Sequence, residues 1–133
     1  MSAVDLRFLH MSDLIDWPAF KNKPTACLLV IDGEIDCRRL SSVVIGALGA
    51  GCKFFLCWGG KADELHDQID GILEDGDDAW LSVSTVSCRG NDAEDVSISL
   101  FVATYPGRSD VRYLVITDGS VESLRNVIDI PME

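Results

Sequence analysis

Four short apolar runs, each closed by turn residues and separated from the next by 20 to 30 residues, constrain this chain more than any other feature. The first is Thr25-Ala26-Cys27-Leu28-Leu29-Val30-Ile31, ending in Asp32-Gly33. The second is Cys52-Lys53-Phe54-Phe55-Leu56-Cys57-Trp58, ending in Gly59-Gly60. The third spans 79–88 and alternates apolar with small polar residues. The fourth is Val111-Arg112-Tyr113-Leu114-Val115-Ile116-Thr117, ending in Asp118-Gly119. Continuous β-branched and apolar runs of this length suit strands buried on both faces. The alternating third run suits a strand with one less buried face, or one at a sheet edge.

Helical spacing fills the intervals. Leu40, Val43, Val44, Ala47 and Leu48 define one helix over 37–50, stopped by Gly49-Ala50-Gly51. Leu65, Ile69, Ile72 and Leu73 define a second over 62–74, and Gly76 ends it. A less regular helix is expected over 92–104, closed by Pro106-Gly107, and a short one over about 120–127. Strands joined by helical crossovers pair in parallel, with right-handed connections. The expected fold is therefore a single three-layer α/β domain over 25–133. Its four-stranded, mainly parallel sheet would be flavodoxin-like or Rossmann-like, with order 2-1-3-4. Residues 1–24 read as an irregular arm packed on that domain, because Pro18 and Pro24 interrupt any long helix.

Composition narrows the functional classes. With 133 residues and 47% hydrophobic content there is material for one core. No run approaches the ~18 apolar residues that would cross a bilayer. The first residues lack a basic start followed by an apolar block, so a cytoplasmic location is expected. The five cysteines, odd in number and irregular in spacing, contain no CxxC pair and fit a reducing compartment better than a zinc site. Twenty-two acids against eleven bases leave a net charge of −11. That charge repels phosphate, so nucleic acid is not an expected partner, whereas a basic protein is.

In parallel sheets, ligands bind at the carboxyl ends of the strands, where strand order reverses. Asp32, Glu34 and Asp118 lie there and could together hold magnesium, although Asp-Gly after a strand is also an ordinary turn. Cys88 closes the third run and could act as a nucleophile with His66 as its base. His66 sits among Glu64 and Asp67, where a solvated surface role is the plainer account. Trp58-Gly59-Gly60-Lys61 could present backbone N–H groups to a nucleotide, but it matches neither GxxxxGK[ST] nor GxGxxG, and a tight strand-to-helix turn is the plainer account. Val30-Ile31-Asp32-Gly33-Glu34 departs from the DxD of haloacid-dehalogenase-like phosphatases. Cys88 stands where a receiver domain needs its acceptor aspartate.

The remaining candidate is an acidic face. Asp63, Glu64, Asp67, Asp70, Glu74, Asp75, Asp77 and Asp78 cluster in 61–78 against Lys61 alone. Turning Leu65, Ile69, Ile72 and Leu73 to the core puts most of these acids on the outer side. Asp63, Glu64, Asp67, Asp70 and Glu74, with Trp58 as an aromatic anchor, would then meet a basic protein partner. The expectation is a non-enzymatic binding domain, for instance an immunity protein or antitoxin that neutralises a basic toxin. The alternative is a small enzyme or a nucleotide- or metal-binding sensor working at the strand ends.

Trp58-Gly59, followed by His66-Asp67 and Asp70 and preceded by Trp17-Pro18 and the Leu28–Asp32 run, resembles a small bacterial family of uncharacterised single-domain proteins. The resemblance covers about residues 15–105. It implies a bacterial cytosolic protein and carries no activity with it.

Overall fold

The computed structural model describes residues 5–12, 17, 24–76, 78–88 and 111–125. Five strands, β1 (Asp5–His10), β2 (Thr25–Val30), β3 (Cys52–Trp58), β4 (Ser84–Cys88) and β5 (Arg112–Thr117), form one sheet. Three helices accompany them: α1 (Cys37–Gly49), α2 (Ala62–Asp75) and α3 (Val121–Arg125). Every pairing is parallel, and the order across the sheet is β1-β5-β2-β3-β4. The α/β class and the parallel sheet agree with the sequence reading, but the strand number and order do not.

Two corrections follow. There are five strands rather than four, because Asp5–His10, assigned to an irregular arm, pairs in register with β5 from Asp5↔Arg112 to His10↔Thr117. The order of the four expected runs is 3-2-1-4 rather than 2-1-3-4. The reason lies in burial. All six residues of β2 and all six of β5 are buried, which only central strands achieve. Residues of β4 are exposed or half-buried throughout, as suits a strand with one neighbour. The first half of the third run is not strand: Asp78–Ser82 form a 3-10 helix. Trp80 packs back against Gly76, at a place where any Cβ would collide with the indole. The helix expected over 92–104 lies outside the described residues.

The sheet has two apolar faces, set by the two-residue period of the strands. Cys27, Leu29, Phe55, Cys57, Leu114 and Ile116 point to the first face, where Leu40, Val43, Val44 and Ala47 of α1 and Leu65, Ile69 and Leu73 of α2 cover them. Ala26, Leu28, Val30, Leu56, Tyr113 and Val115 point to the second, joined by Leu6, Phe8 and by Leu124 of α3. Trp17 packs on the first face, its indole directly over Gly46 of α1, so a side chain at 46 would displace it.

Local chemistry starts and stops the helices. Asp36 caps α1, its Oδ1 accepting from the N–H groups of Arg38 at 3.1 Å and Arg39 at 3.3 Å. At the other end of α1 the buried Arg112 guanidinium donates to the Ala50 carbonyl at 2.8 Å, a cation where the helix dipole is negative. The Cys27, Cys52 and Cys57 thiols are fully buried. The hydrogen bond with Cys52, together with burial, holds the Cys27 thiol well above its ordinary range. Burial, helped by the Asp70 charge, pushes Cys57 up to about 12.

Candidate functional site

Strand order reverses between β2 and β5. From β2 the chain steps to β3 and β4 in one direction, and β5 returns to the far side of β2. Loops leaving the two strands diverge there and leave a crevice at their carboxyl ends. The structure has a cleft of about 160 Å³ at that place, lined by His10, Met11, Ser12, Ile31, Glu34, Ile35, Asp36, Arg39 and Asp118. All of them but Arg39 lie at or just beyond the ends of neighbouring strands: 10–12 at β1, 31–36 after β2 and Asp118 after β5. Arg39, in the first turn of α1, completes the lining.

The cleft is held by side chain to backbone bonds. Arg39 donates through Nη1 to the Met11 carbonyl at 3.1 Å. The Met11 N–H donates to the Thr117 carbonyl at 2.7 Å, carrying the β1–β5 pairing past the strand end. The His10 ring bridges two loops. Nδ1 accepts from the Ser12 N–H at 3.0 Å and lies 2.6 Å from Ser12 Oγ, while Nε2 lies 3.1 Å from the Asp118 carbonyl. With Nδ1 accepting, the ring proton belongs on Nε2, which donates to that carbonyl.

The expected acidic trio is only partly assembled. Asp118 Oδ1 and Oδ2 accept from the N–H groups of Asp32 at 3.1 Å and Gly33 at 2.9 Å. Asp32 Oδ1 in turn accepts from the Gly60 N–H at 3.1 Å. These two carboxylates therefore stitch the ends of β5, β2 and β3 together. Glu34 lines the cleft without joining them. Among the described residues, no group of three or more His, Cys, Asp or Glu is arranged to hold a metal ion.

Cys88 and His66 are kept apart. Cys88 packs with the second-face cluster, beside Trp58. His66 belongs to α2 on the first face, its Nε2 3.1 Å from the Thr85 carbonyl and its Nδ1 3.4 Å from Asp70. Thr85 precedes Cys88 by three residues, roughly 10 Å along the strand. His66 thus ties α2 to β4. Arg89, beyond Cys88, lies outside the described residues.

Gly59 and Gly60 form the turn into α2. Gly59 has φ +101°, and a Cβ there would stand 2.8 Å from Asp32 Oδ1. The glycines thus admit a carboxylate of the protein itself to the start of α2, which disfavours a phosphate at the same amides.

The acids of α2 fall largely where the helical period places them. Asp63, Glu64, Asp67, Glu74 and Asp75 are exposed, opposite the buried Leu65, Ile69 and Leu73. Asp63 accepts from Ser87 Oγ at 3.0 Å, Lys61 pairs with Glu64 at 3.7 Å, and Asp70 faces His66. Asp77 lies outside the described residues. Trp58 packs on the second face, away from these acids, and Trp80 is half-buried against the first.

The sequence reading did not single out His10, Ser12 or Arg39. Their signal was Leu6-Arg7-Phe8 before His10: once that segment is read as a strand, His10 and Ser12 fall at its carboxyl end beside Asp118.

A model of a domain of unknown function, DUF7684, matches residues 6–101. The chain belongs to the DUF7684 family. The match starts in β1 and takes in β2, α1, β3, α2 and β4, so four of the five strands and most of the cleft lining fall within the DUF7684 region, and Asp118 falls outside it. No curated protein and no solved structure matches the chain. Among the described residues of this DUF7684 protein, no helix is long and apolar enough to cross a membrane.

Proposed function

We propose that the protein binds a small molecule in the strand-end cleft. The observation that carries this reading is the place of the cleft, at the carboxyl ends of the strands where the Rossmann-like order reverses. Its volume of about 160 Å³ leaves room for a small ligand. Met11, Ile31 and Ile35 give it an apolar floor, while Arg39, Glu34 and His10 supply charge and hydrogen bonds. A ligand with a small apolar body and one polar head fits that lining. The reading is tested by ligand-observed NMR against a library of small metabolites, with wild type and Arg39→Ala in parallel. Binders that lose affinity in the folded variant are expected. Failure to find any binder sensitive to Arg39→Ala or Ile35→Ala would overturn the reading.

The acidic face of α2 supports a second reading, a domain that binds a basic protein in the manner of an immunity protein or antitoxin. Its support is the exposure of Asp67, at 86% of its side chain, among Glu64, Glu74 and Asp75, with Lys61 as the neighbouring base. Charge of one sign on one face raises association rates and salt sensitivity. The test is recovery of a basic protein from the native host by wild type and its loss with Glu64→Gln, Asp67→Asn, Glu74→Gln and Asp75→Asn combined. These four leave the Asp63–Ser87 and Asp70–His66 contacts in place.

A further inference from the structure

We propose that the ligand of the strand-end cleft is a small apolar α-amino acid, with its carboxylate on Arg39, its ammonium on Glu34 and its side chain on Met11, Ile31 and Ile35. This rests on the cleft being a ligand site and gives that site a ligand class. Three carboxylates and one guanidinium line the cleft: Glu34, Asp36, Asp118 and Arg39. Two of the carboxylates are engaged by the protein itself. Asp36 Oδ1 accepts from the Arg38 and Arg39 amides, and the two oxygens of Asp118 accept from the Asp32 and Gly33 amides. Glu34 differs: among the described residues its carboxylate has no hydrogen bond and no ion pair. Arg39 has five N–H donors on its guanidinium, and among the described residues that group makes one bond, the 3.1 Å contact from Nη1 to the Met11 carbonyl.

Glu34 and Arg39 thus border one cleft with opposite charge and are not paired with each other. Both residues are exposed, so water can solvate the two charges and makes their separation tolerable. Solvation alone does not account for the tether of Arg39. Its bond to the Met11 carbonyl ties the guanidinium of α1 to the segment beyond β1 and keeps it at the cleft. A guanidinium already held in place loses less freedom when a carboxylate docks on it, and its remaining donors suit a planar carboxylate.

The two charges select against ligands that carry only one. A simple carboxylate meets Arg39 but brings its charge against Glu34, and Asp36 and Asp118 add to the repulsion. A phosphate ester, with more negative charge, is opposed more strongly. A simple amine meets Glu34 but faces the Arg39 cation. A zwitterion sets each of its charges against an opposite one. An α-amino acid carries both charges on adjoining groups beside a side chain, and the apolar floor of Met11, Ile31 and Ile35 suits an aliphatic one. The volume of about 160 Å³ restricts that side chain to a short one, such as that of alanine or valine.

The experiment titrates the full chain by ligand-observed NMR with two matched sets of probes. One set is L-valine, 3-methylbutanoate and isobutylamine, and the other is L-alanine, propionate and ethylamine. In at least one set the amino acid is expected to bind roughly tenfold more tightly than the acid and the amine that each lack one of its charges. Glu34→Gln should bring the amino acid down to the affinity of the matching acid and leave that acid no weaker. Arg39→Gln should bring it down to the affinity of the matching amine. A merely structural role would weaken all three probes alike. Because Arg39→Gln also removes the tie to Met11, Glu34→Gln, which breaks no contact among the described residues, decides the matter if the Arg39 variant fails to fold. An acid or amine that binds as tightly as its amino acid in both sets overturns the proposal, as does an amino acid affinity unchanged in Glu34→Gln. If neither amino acid binds while other metabolites bind and are lost with Ile35→Ala, the zwitterion fails and small-molecule binding stands. If no ligand of any class binds, both readings fall.

Discussion

At the crest of the sheet, Asp118 turns both carboxylate oxygens onto the backbone of the next strand, and Asp32 repeats the gesture one strand further on. Hydrogen bonds from backbone amides to a carboxylate are charge-assisted and stronger than neutral ones. The chain leaves room for each carboxylate with a glycine. A Cβ on Gly33 would stand 2.9 Å from Asp118 Oδ2, and one on Gly59 would stand 2.8 Å from Asp32 Oδ1. Gly59 also has a positive φ, which costs an L-residue about 1–2 kcal/mol. Gly59→Ala is therefore expected to lower stability by about 2 kcal/mol or more, read as a shift in the urea midpoint. A shift under about 0.5 kcal/mol would mean the contact is not made. The positions of these acids at strand ends were legible in the sequence. Their use was not, because the partner amides of Asp118 sit 85 and 86 residues earlier in the chain.

Elements with a long period declared themselves. The apolar spacing of α1 and α2 was enough to place both within a residue or so of their observed ends. Asp36 ahead of α1 shows why a start can be sharp: its carboxylate accepts from two amides that the helix leaves unbonded. Asp36→Ala should cost about 1 kcal/mol and raise amide exchange in the first turn of α1, with little change in β4. Uniform loss of protection across the molecule would contradict that local account. Short elements were harder to read. β1 offers three residues to each face, and its Leu6, Phe8 and Leu9 do not alternate cleanly. Ala79-Trp80-Leu81 opens an apolar run that reads as strand, yet the Trp80 ring packs against Gly76, and a 3-10 turn puts it there. In both cases a tertiary partner outweighed a weak local pattern.

For the whole molecule, strand order rests on how much burial each strand receives, which the sequence signals only in part. The uniform runs of β2 and β5 mark the middle of the sheet, and the alternation of β4 marks its edge. That layout also sets an alkaline limit to stability. The folded values of the Cys27 and Cys57 thiols are raised, so the folded protein keeps protons that the unfolded chain gives up near 9. The contribution is complete below that pH and is lost as pH climbs toward 12, by at most about 1.4 kcal/mol per pH unit for each thiol. Unfolding free energy measured at pH 8 and pH 10.5 should fall, and it should fall less in Cys57→Ala. Equal slopes in the two proteins would assign the loss to other groups.

The pairing of β1 with β5 joins two segments that a ribosome makes at widely separated times. The stretch from β2 to β4 can assemble by neighbouring strands as it emerges, since each crossover reaches the next strand in line. β1 has no edge to join until β5 appears. During synthesis the first strand must therefore wait, exposed, while its future neighbour is still being translated, and the cleft beneath it is the last part of the protein to come into being.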